Sequence, residues 1–283
     1  MLTMKQILKS GVAAVGVAAA MSANAYVVGG IDFGSALTLS HLETTTLAQT
    51  FTNDNGQSST AYGSISTVNG ANSYCAGGGT CGLYYIATFG NSQNFAANGS
   101  YVEFTTATIS VYFTNSFVNL LNQTSVQNLA TIQGMTPWLT LTGHNNLGGG
   151  AASNAVLRGT GALTGATLNG AGFGLFDVDV TGPGLASVIA AFNTNTIADA
   201  AGGFADVALT SSFNNFVLND NDVAANLAVG CDNGTAAAGA WCYQGTANLR
   251  GKLNAVPEPG TLALAGLAFG AIGVLSRRRK SAK

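Results

Sequence analysis

The chain has 283 residues, of which only 8% are charged, and a formal net charge of −2. That balance is uneven: between Tyr26 and Val256 eleven acids face only Arg158, Arg250 and Lys252, a net −8, because the other bases sit near the two ends. Such a body has no basic patch to neutralise phosphates, which excludes nucleic acid as a partner, and it repels acidic polymers unless cations bridge them.

Lys5 and Lys9 are the only charges in the first thirty residues, and the apolar stretch from Gly11 to Ala20 follows them. Ala23-Asn24-Ala25 then places small residues, Ala23 and Ala25, at both positions a signal peptidase reads, which completes the layout of a secretory signal peptide over residues 1–25. The stretch is short and rich in Ala and Gly for a membrane span. Cleavage after Ala25 starts the mature chain at Tyr26.

From residue 26 to 255, short β-branched and aromatic runs alternate with Gly and Asn turns, the pattern of many short strands in a sandwich or barrel. The expected fold is mainly β: one β-sandwich-like exported domain with one or two short helices, between an N-terminal signal helix and a C-terminal transmembrane helix. Its surface is neutral and rich in hydroxyls and amides, which can hydrogen-bond to polyols.

In chain order, residues 27–42 predict a first strand or two, and Asn53-Asp54-Asn55-Gly56 a turn. Strands are predicted over 82–89, 101–104 and 107–113. In the last, Ile109, Val111 and Phe113 share one face and Thr108, Ser110 and Tyr112 the other. Phe117, Leu120, Leu121 and Leu129 have helical spacing, and residues 138–142 predict another strand. Gly159-Thr160-Gly161 and Gly182-Pro183-Gly184 lack phosphate-cradling spacing and read as turns. Residues 174–181 and 203–210 align, with Asp177 and Asp206 at equivalent positions. Between them Pro183 opens a short amphipathic helix bearing Leu185, Val188, Ile189 and Phe192, so this part reads as strand–helix–strand.

Four cysteines in an exported chain point to disulfides. The local pairs Cys75–Cys81 and Cys231–Cys242 are favoured over the other two pairings, since each closes a Gly- or Ala-rich loop. Zinc is the rival reading, and the spacings do not match its usual close ligand pairs.

No metal site and no catalytic set stand out, so the chain does not read as an enzyme. His41 and His144, the only histidines, read as polar strand and turn residues, and no Gly-x-Ser-x-Gly elbow occurs. Asp177 and Asp179 share a strand face, a pair a glycosidase can use, although a solvated face or a turn cap explains them more simply. No cofactor is expected. Calcium is the one candidate, through Asn219-Asp220-Asn221-Asp222 and Asn53-Asp54-Asn55-Gly56, against the plainer reading as Asx turns. Tyr84, Tyr85, Trp138 and Trp241 are the aromatics open to stacking on sugars, with core packing as the alternative fate.

The last segment, 256–283, is built in three parts. Val256, Pro257, Glu258 and Pro259 open it; Thr261 to Leu275 is apolar throughout, a predicted transmembrane helix; and Arg277, Arg278, Arg279 and Lys280 form a basic stop. The apolar run is shorter than a comfortable span, and it can still enter a membrane with its arginines at the interface. Cations stay on the cytoplasmic side, so the bulk of the chain lies outside.

That order of PEP motif, apolar helix, arginine cluster and chain end resembles the PEP-CTERM sorting signal of Gram-negative bacteria. The resemblance implies an exosortase partner that cuts near the motif, a transient stay in the inner membrane, and release to the cell surface or extracellular matrix. It also implies exopolysaccharide or other matrix components as partners. The stretches Trp138 to His144, Gly202 to Asp206, Trp241-Cys242 and Leu249 to Gly251 are similar in style and order to flocculation-associated PEP-CTERM proteins. The function expected is a structural or adhesive role in exopolysaccharide-associated floc or biofilm. A carbohydrate-binding module is the alternative, and a secreted hydrolase a more distant one.

Overall fold

The computed structural model describes residues 26–34, 39–96, 100–164 and 167–254. The predicted signal segment, with its cleavage residues Ala23 and Ala25, lies outside them, as do the PEP motif, the transmembrane run and the basic stop. Among the described residues no helix is long and apolar enough to cross a membrane.

The expected mainly-β domain is present, and its sheet closes on itself. A small hairpin, β1 (Val27–Val28) and β2 (Ile31–Asp32), leads into β3 (Leu39–Thr50), β4 (Ser59–Val68), β5 (Gly82–Gln93) and β6 (Tyr101–Thr114). After helix α1 (Ser125–Gln133) come β7 (Thr136–His144), β8 (Leu157–Thr164) and β9 (Thr167–Val178). Helix α2 (Ala186–Phe192) and a second small hairpin, β10 (Ile197–Ala198) and β11 (Phe204–Ala205), precede β12 (Val207–Asn214). Helix α3 (Asp220–Ala224) and β13 (Trp241–Lys252) complete the fold.

Every strand pairing is antiparallel. β3 to β6 form a meander, and β13 lies on the other side of β3. β12 pairs with both β13 and β9, which shuts the ring. β7 and β8 share one place between β6 and β9. β7 pairs with residues 108–113 of β6, and β8 with residues 101–104. The nine strands of the sheet therefore occupy eight positions, a number at which a barrel interior is either filled by side chains or holds one small ligand.

Strand alternation decides what turns inward. On β6, Ile109 and Val111 are buried while Thr108 and Ser110 are half-buried on the outer wall. On the outside, Ser212, Thr246, Thr45 and Ser64 are register partners across β12, β13, β3 and β4, a row of hydroxyls along the wall. Apolar inside and hydroxyl-bearing outside is the reverse of a membrane-spanning barrel.

One end of the barrel is plugged. Phe33, from the N-terminal hairpin, stacks on Trp138 at 6.5 Å, and Phe192 of α2 meets both rings edge-on at 5.9 and 5.6 Å. Trp138 Nε1 donates to Gly29 O at 3.0 Å, so its one polar atom is satisfied in the core. The Cys75–Cys81 disulfide sits at this end. Asn254 is tied to the plug as well: its N–H donates to Ala191 O at 2.8 Å, and its carbonyl accepts from the Tyr26 hydroxyl.

On the outer wall, α1 and the 3-10 turn at Leu120–Asn122 cover Ala48, Tyr62, Tyr84, Ile86 and Trp241. The helix expected from the spacing of residues 117–129 starts later, at Ser125. There Thr124 and Gln127 form a reciprocal capping box, which fixes the start more strongly than the apolar spacing upstream.

Three further expectations are corrected. Gly159-Thr160-Gly161 is the middle of β8, not a turn: the three residues pair in register with Gly172, Ala171 and Gly170 of β9. The 174–181 strand stops at Val178, and Asp179 instead accepts from Thr181 and Gly182 N–H groups in a turn. Asp177 and Asp206 do not occupy equivalent positions. Asp206 is buried and accepts from Val178, Thr194 and Asn195 N–H groups, whereas Asp177 pairs with His144.

Candidate functional site

Side-chain size along the inward face sets where the barrel is solid. Near the plug the inward positions are large: Leu42, Ile65, Leu83, Val111, Leu141 and Phe176 are all at most 3% exposed. Toward the opposite end they shrink to Thr44, Thr46, Ala61, Ala87, Gly159, Gly172, Ser211 and Ala247, and a cavity of about 560 Å³ opens between them. Gly170 and Gly172 allow this wall to form. A Cβ on Gly170 would lie 2.3 Å from the Phe213 ring, and one on Gly172 2.5 Å from Ser211 Oγ. Glycine lets those side chains lie flat against the strand instead of projecting across the lumen.

The cavity reaches the surface where the exposed residues Asn53, Asn233, Gly234 and Thr235 line it. The Cys231–Cys242 disulfide pins the loop beside this mouth, and Phe51 and Ala236 pack against its buried sulfurs. Tyr243 lies between Phe51 and Phe213, with ring centroids 5.6 and 5.4 Å away.

Polar groups inside the lumen are few and uncharged. Thr46 Oγ1 and Tyr85 Oη are 2.5 Å apart, and Thr44 Oγ1 accepts from Ala247 N at 3.1 Å. Burial pushes the Tyr85 hydroxyl up to about 12 despite these threonines. Tyr243 is 7% exposed, and its hydroxyl has no hydrogen-bond partner among the described residues. Burial alone raises its pKa, so it stays protonated and a donor. Thr52 Oγ1, which lines the cavity at its mouth, is buried without a hydrogen-bond partner. Arg158, the one charged residue along the wall, sends its guanidinium to the carbonyls of Gly148 and Gly149.

A second polar constellation lies on the outer side of β7. His144 Nδ1 is 2.9 Å from Asp177 Oδ2, and its Nε2 is 3.0 Å from Asp199 Oδ2. Asp199 also accepts from Ala201 N and Gly203 N at 2.8 and 2.7 Å. Burial works against the charged ring, but the hydrogen bonds to Asp199 and Asp177 outweigh it and raise the His144 pKa. The His144 contact is the chief cause that holds Asp199 down to about 2. An imidazole bonded to a carboxylate at each nitrogen is a clasp between β7, β9 and the 199–203 loop. With both nitrogens committed, it has none free for proton transfer to a substrate.

The other residues singled out from the sequence fall into place around these sites. Both favoured disulfides are formed. Trp138, Trp241, Tyr84 and Tyr85 are all buried, at 0%, 7%, 1% and 5% exposure, so these four have gone to packing rather than to a sugar-stacking surface. His41 Nε2 pairs with Asn248 Oδ1 on the outer wall. Asp222, offered above as a calcium ligand, is fully buried and accepts from both the N–H and the hydroxyl of Ser125. Asn219 caps α3. Asn53 closes its turn with Gln57, whose Nε2 it accepts at 2.9 Å. Among the described residues no group of three or more His, Cys, Asp or Glu side chains is placed to hold a metal.

Asn254, the last described residue, sits at the plug, on the far side of the barrel from the mouth. Directly after it, residues 255–280 match the family model of the PEP-CTERM protein-sorting motif. Neither the comparison with curated proteins nor that with solved structures returned a match. The motif implies export, processing by an exosortase, and membrane-anchored sorting before release to the cell surface. The chain carries the PEP-CTERM protein-sorting motif, the mark of an exported exosortase substrate.

Proposed function

We propose that the barrel is a non-catalytic protein of the cell surface or extracellular matrix, with a structural or adhesive role in exopolysaccharide-associated floc or biofilm. The observation that carries this reading is the sorting motif, joined at residue 255 to the plugged end of a barrel with a hydroxyl-lined outer wall. With the tail in the inner membrane, the mouth and the wall face outward; after cleavage the same wall meets the matrix. The hydroxyls and amides hydrogen-bond to neutral sugars, whereas the net −8 of the body repels an acidic polymer. Within the matrix reading, the protein is of the flocculation-associated type, and its partners are matrix polysaccharide and the exosortase. The commitment of both His144 nitrogens supports action by contact rather than by turnover.

The test is deletion of the gene in the producing bacterium, with floc and biofilm mass as the readout. Loss of cohesion, restored by the full-length gene, is the expected result; unchanged cohesion would sink the proposal. Sugar recognition in a defined site would have to use aromatics other than the four now buried. The exposed Phe117, Phe204 and Phe216 are the ones to substitute if a glycan array returns a ligand.

A further inference from the structure

We infer that the barrel lumen is a binding site for one neutral, largely apolar small molecule that carries a hydrogen-bond acceptor. This goes beyond the matrix role and does not depend on it.

The lumen has the size of sites that take drug-sized ligands, about 560 Å³ against a range of about 300–1,000 Å³. Its walls near the plug are closed by packed aliphatic and aromatic side chains, so the molecule enters and leaves by the mouth beside the 231–242 disulfide. The lining is mostly apolar, with Ala87, Phe89, Phe104 and Leu209 among its walls. No ionised side chain points into it, so an ion would lose its hydration without a counter-charge. That restricts the occupant to neutral molecules.

Tyr243 supplies the specific contact. Its ring is buried between Phe51 and Phe213, while its hydroxyl stays protonated and pairs with no described residue, so it is free to donate to an occupant of the lumen. An acceptor such as a ketone, ester or ether oxygen satisfies it, and the Phe51 and Phe213 rings on either side fix where that oxygen sits. Most other lumen hydroxyls do not need the ligand: Thr46 and Tyr85 satisfy each other, and Thr44 is taken by the Ala247 N–H. The site is thus an apolar cavity with two hydroxyls left for a ligand, Tyr243 and, at the mouth, the buried and unpartnered Thr52.

The probe is Nile red, a neutral apolar dye with a carbonyl acceptor, titrated into the oxidised full-length protein and followed by its emission. Saturable binding of one dye per chain with a blue-shifted emission is expected, and a thermal midpoint that rises with dye concentration. Ala87→Phe, which puts a ring into the lumen, is expected to weaken binding about tenfold or more. Tyr243→Phe keeps the packing and loses the donor, for a loss of about fivefold, the worth of one net hydrogen bond. If Ala87→Phe does not fold, Ser211→Leu blocks the same space. No saturable binding by the wild type, or full-strength binding by a folded lumen-blocked variant, overturns the site. Equal affinity for the anionic dye 1-anilinonaphthalene-8-sulfonate overturns its restriction to neutral ligands.

Discussion

Replacing Cys231 and Cys242 together with alanine removes the bridge that pins the mouth loop across a sequence separation of 11. In the chain-entropy picture, a loop of that size restrains the unfolded chain by about 2.8 kcal/mol, against about 2.2 kcal/mol for the six-residue separation of Cys75 and Cys81. Loop length alone therefore makes the mouth bridge worth about 0.5 kcal/mol more. Packing widens the gap. The mouth sulfurs are buried against Phe51 and Ala236, whereas Cys75 and Cys81 are only half-buried. Alanine is the right replacement, since a serine hydroxyl there would be buried without a partner and add an unrelated penalty. The assay is urea unfolding of the oxidised protein and of each double variant, read by fluorescence and by far-UV circular dichroism so that coincident transitions justify two-state treatment. At a slope of about 2 kcal/mol per molar, the mouth variant should unfold about 1.4 M earlier than wild type. A mouth variant within about 0.5 kcal/mol of wild type, or a larger loss from the Cys75/Cys81 pair, would refute the reasoning.

Trp138→Ala empties a fully buried site between Phe33 and Phe192 and should cost about 3–5 kcal/mol in urea unfolding. The His144 pKa lies above its ordinary 6.5 in the fold, so its contribution is whole below that pH and fades as pH rises through the folded value. Asp199, lowered from 3.8 to about 2, contributes above 3.8 and fades as pH falls toward 2. The deficit of a His144→Gln variant in chemical unfolding should thus be largest between these limits, and the His144 ring proton should titrate above pH 6.5 by NMR. Gly245→Ala should destabilise by about 1–3 kcal/mol or more, because its Cβ would lie 2.0 Å from the Ser212 carbonyl oxygen at a β13 irregularity. Gly56→Ala, which meets no atom within 4 Å, should cost only the strain of its positive φ, about 1–2 kcal/mol by circular dichroism melts.

Local chemistry was readable in the sequence where one residue type has one use. The inward and outward faces of β6 followed from strict alternation of Ile109, Val111 and Phe113 with Thr108, Ser110 and Tyr112, and the disulfides from short Gly-rich loops. The helix around Val188 and Phe192 followed from apolar spacing after Pro183. Closure was not readable. It depends on β12 pairing with β9 and β13 with β3, contacts between segments far apart in the chain that leave no local mark. β4 is not among the predicted strands, although the Asn69-Gly70 pair that ends it, left-handed at both residues, is a strong hairpin signal. The cavity is not legible in the sequence because Gly159 reads as a turn residue until β8 is paired with β9. His144 looked like a turn residue because Asp177 and Asp199 are brought to it by a strand partner and a distant loop.

The central claim is that the tail is temporary and the barrel is the working protein. Intact-mass analysis of the protein recovered from the extracellular matrix of the producing bacterium tests it most directly. The account predicts a chain that begins at Tyr26 and ends near the Pro257-Glu258-Pro259 motif, with both disulfides formed and Arg277 to Lys280 gone. Matrix protein that still carries Arg277 to Lys280 would contradict it.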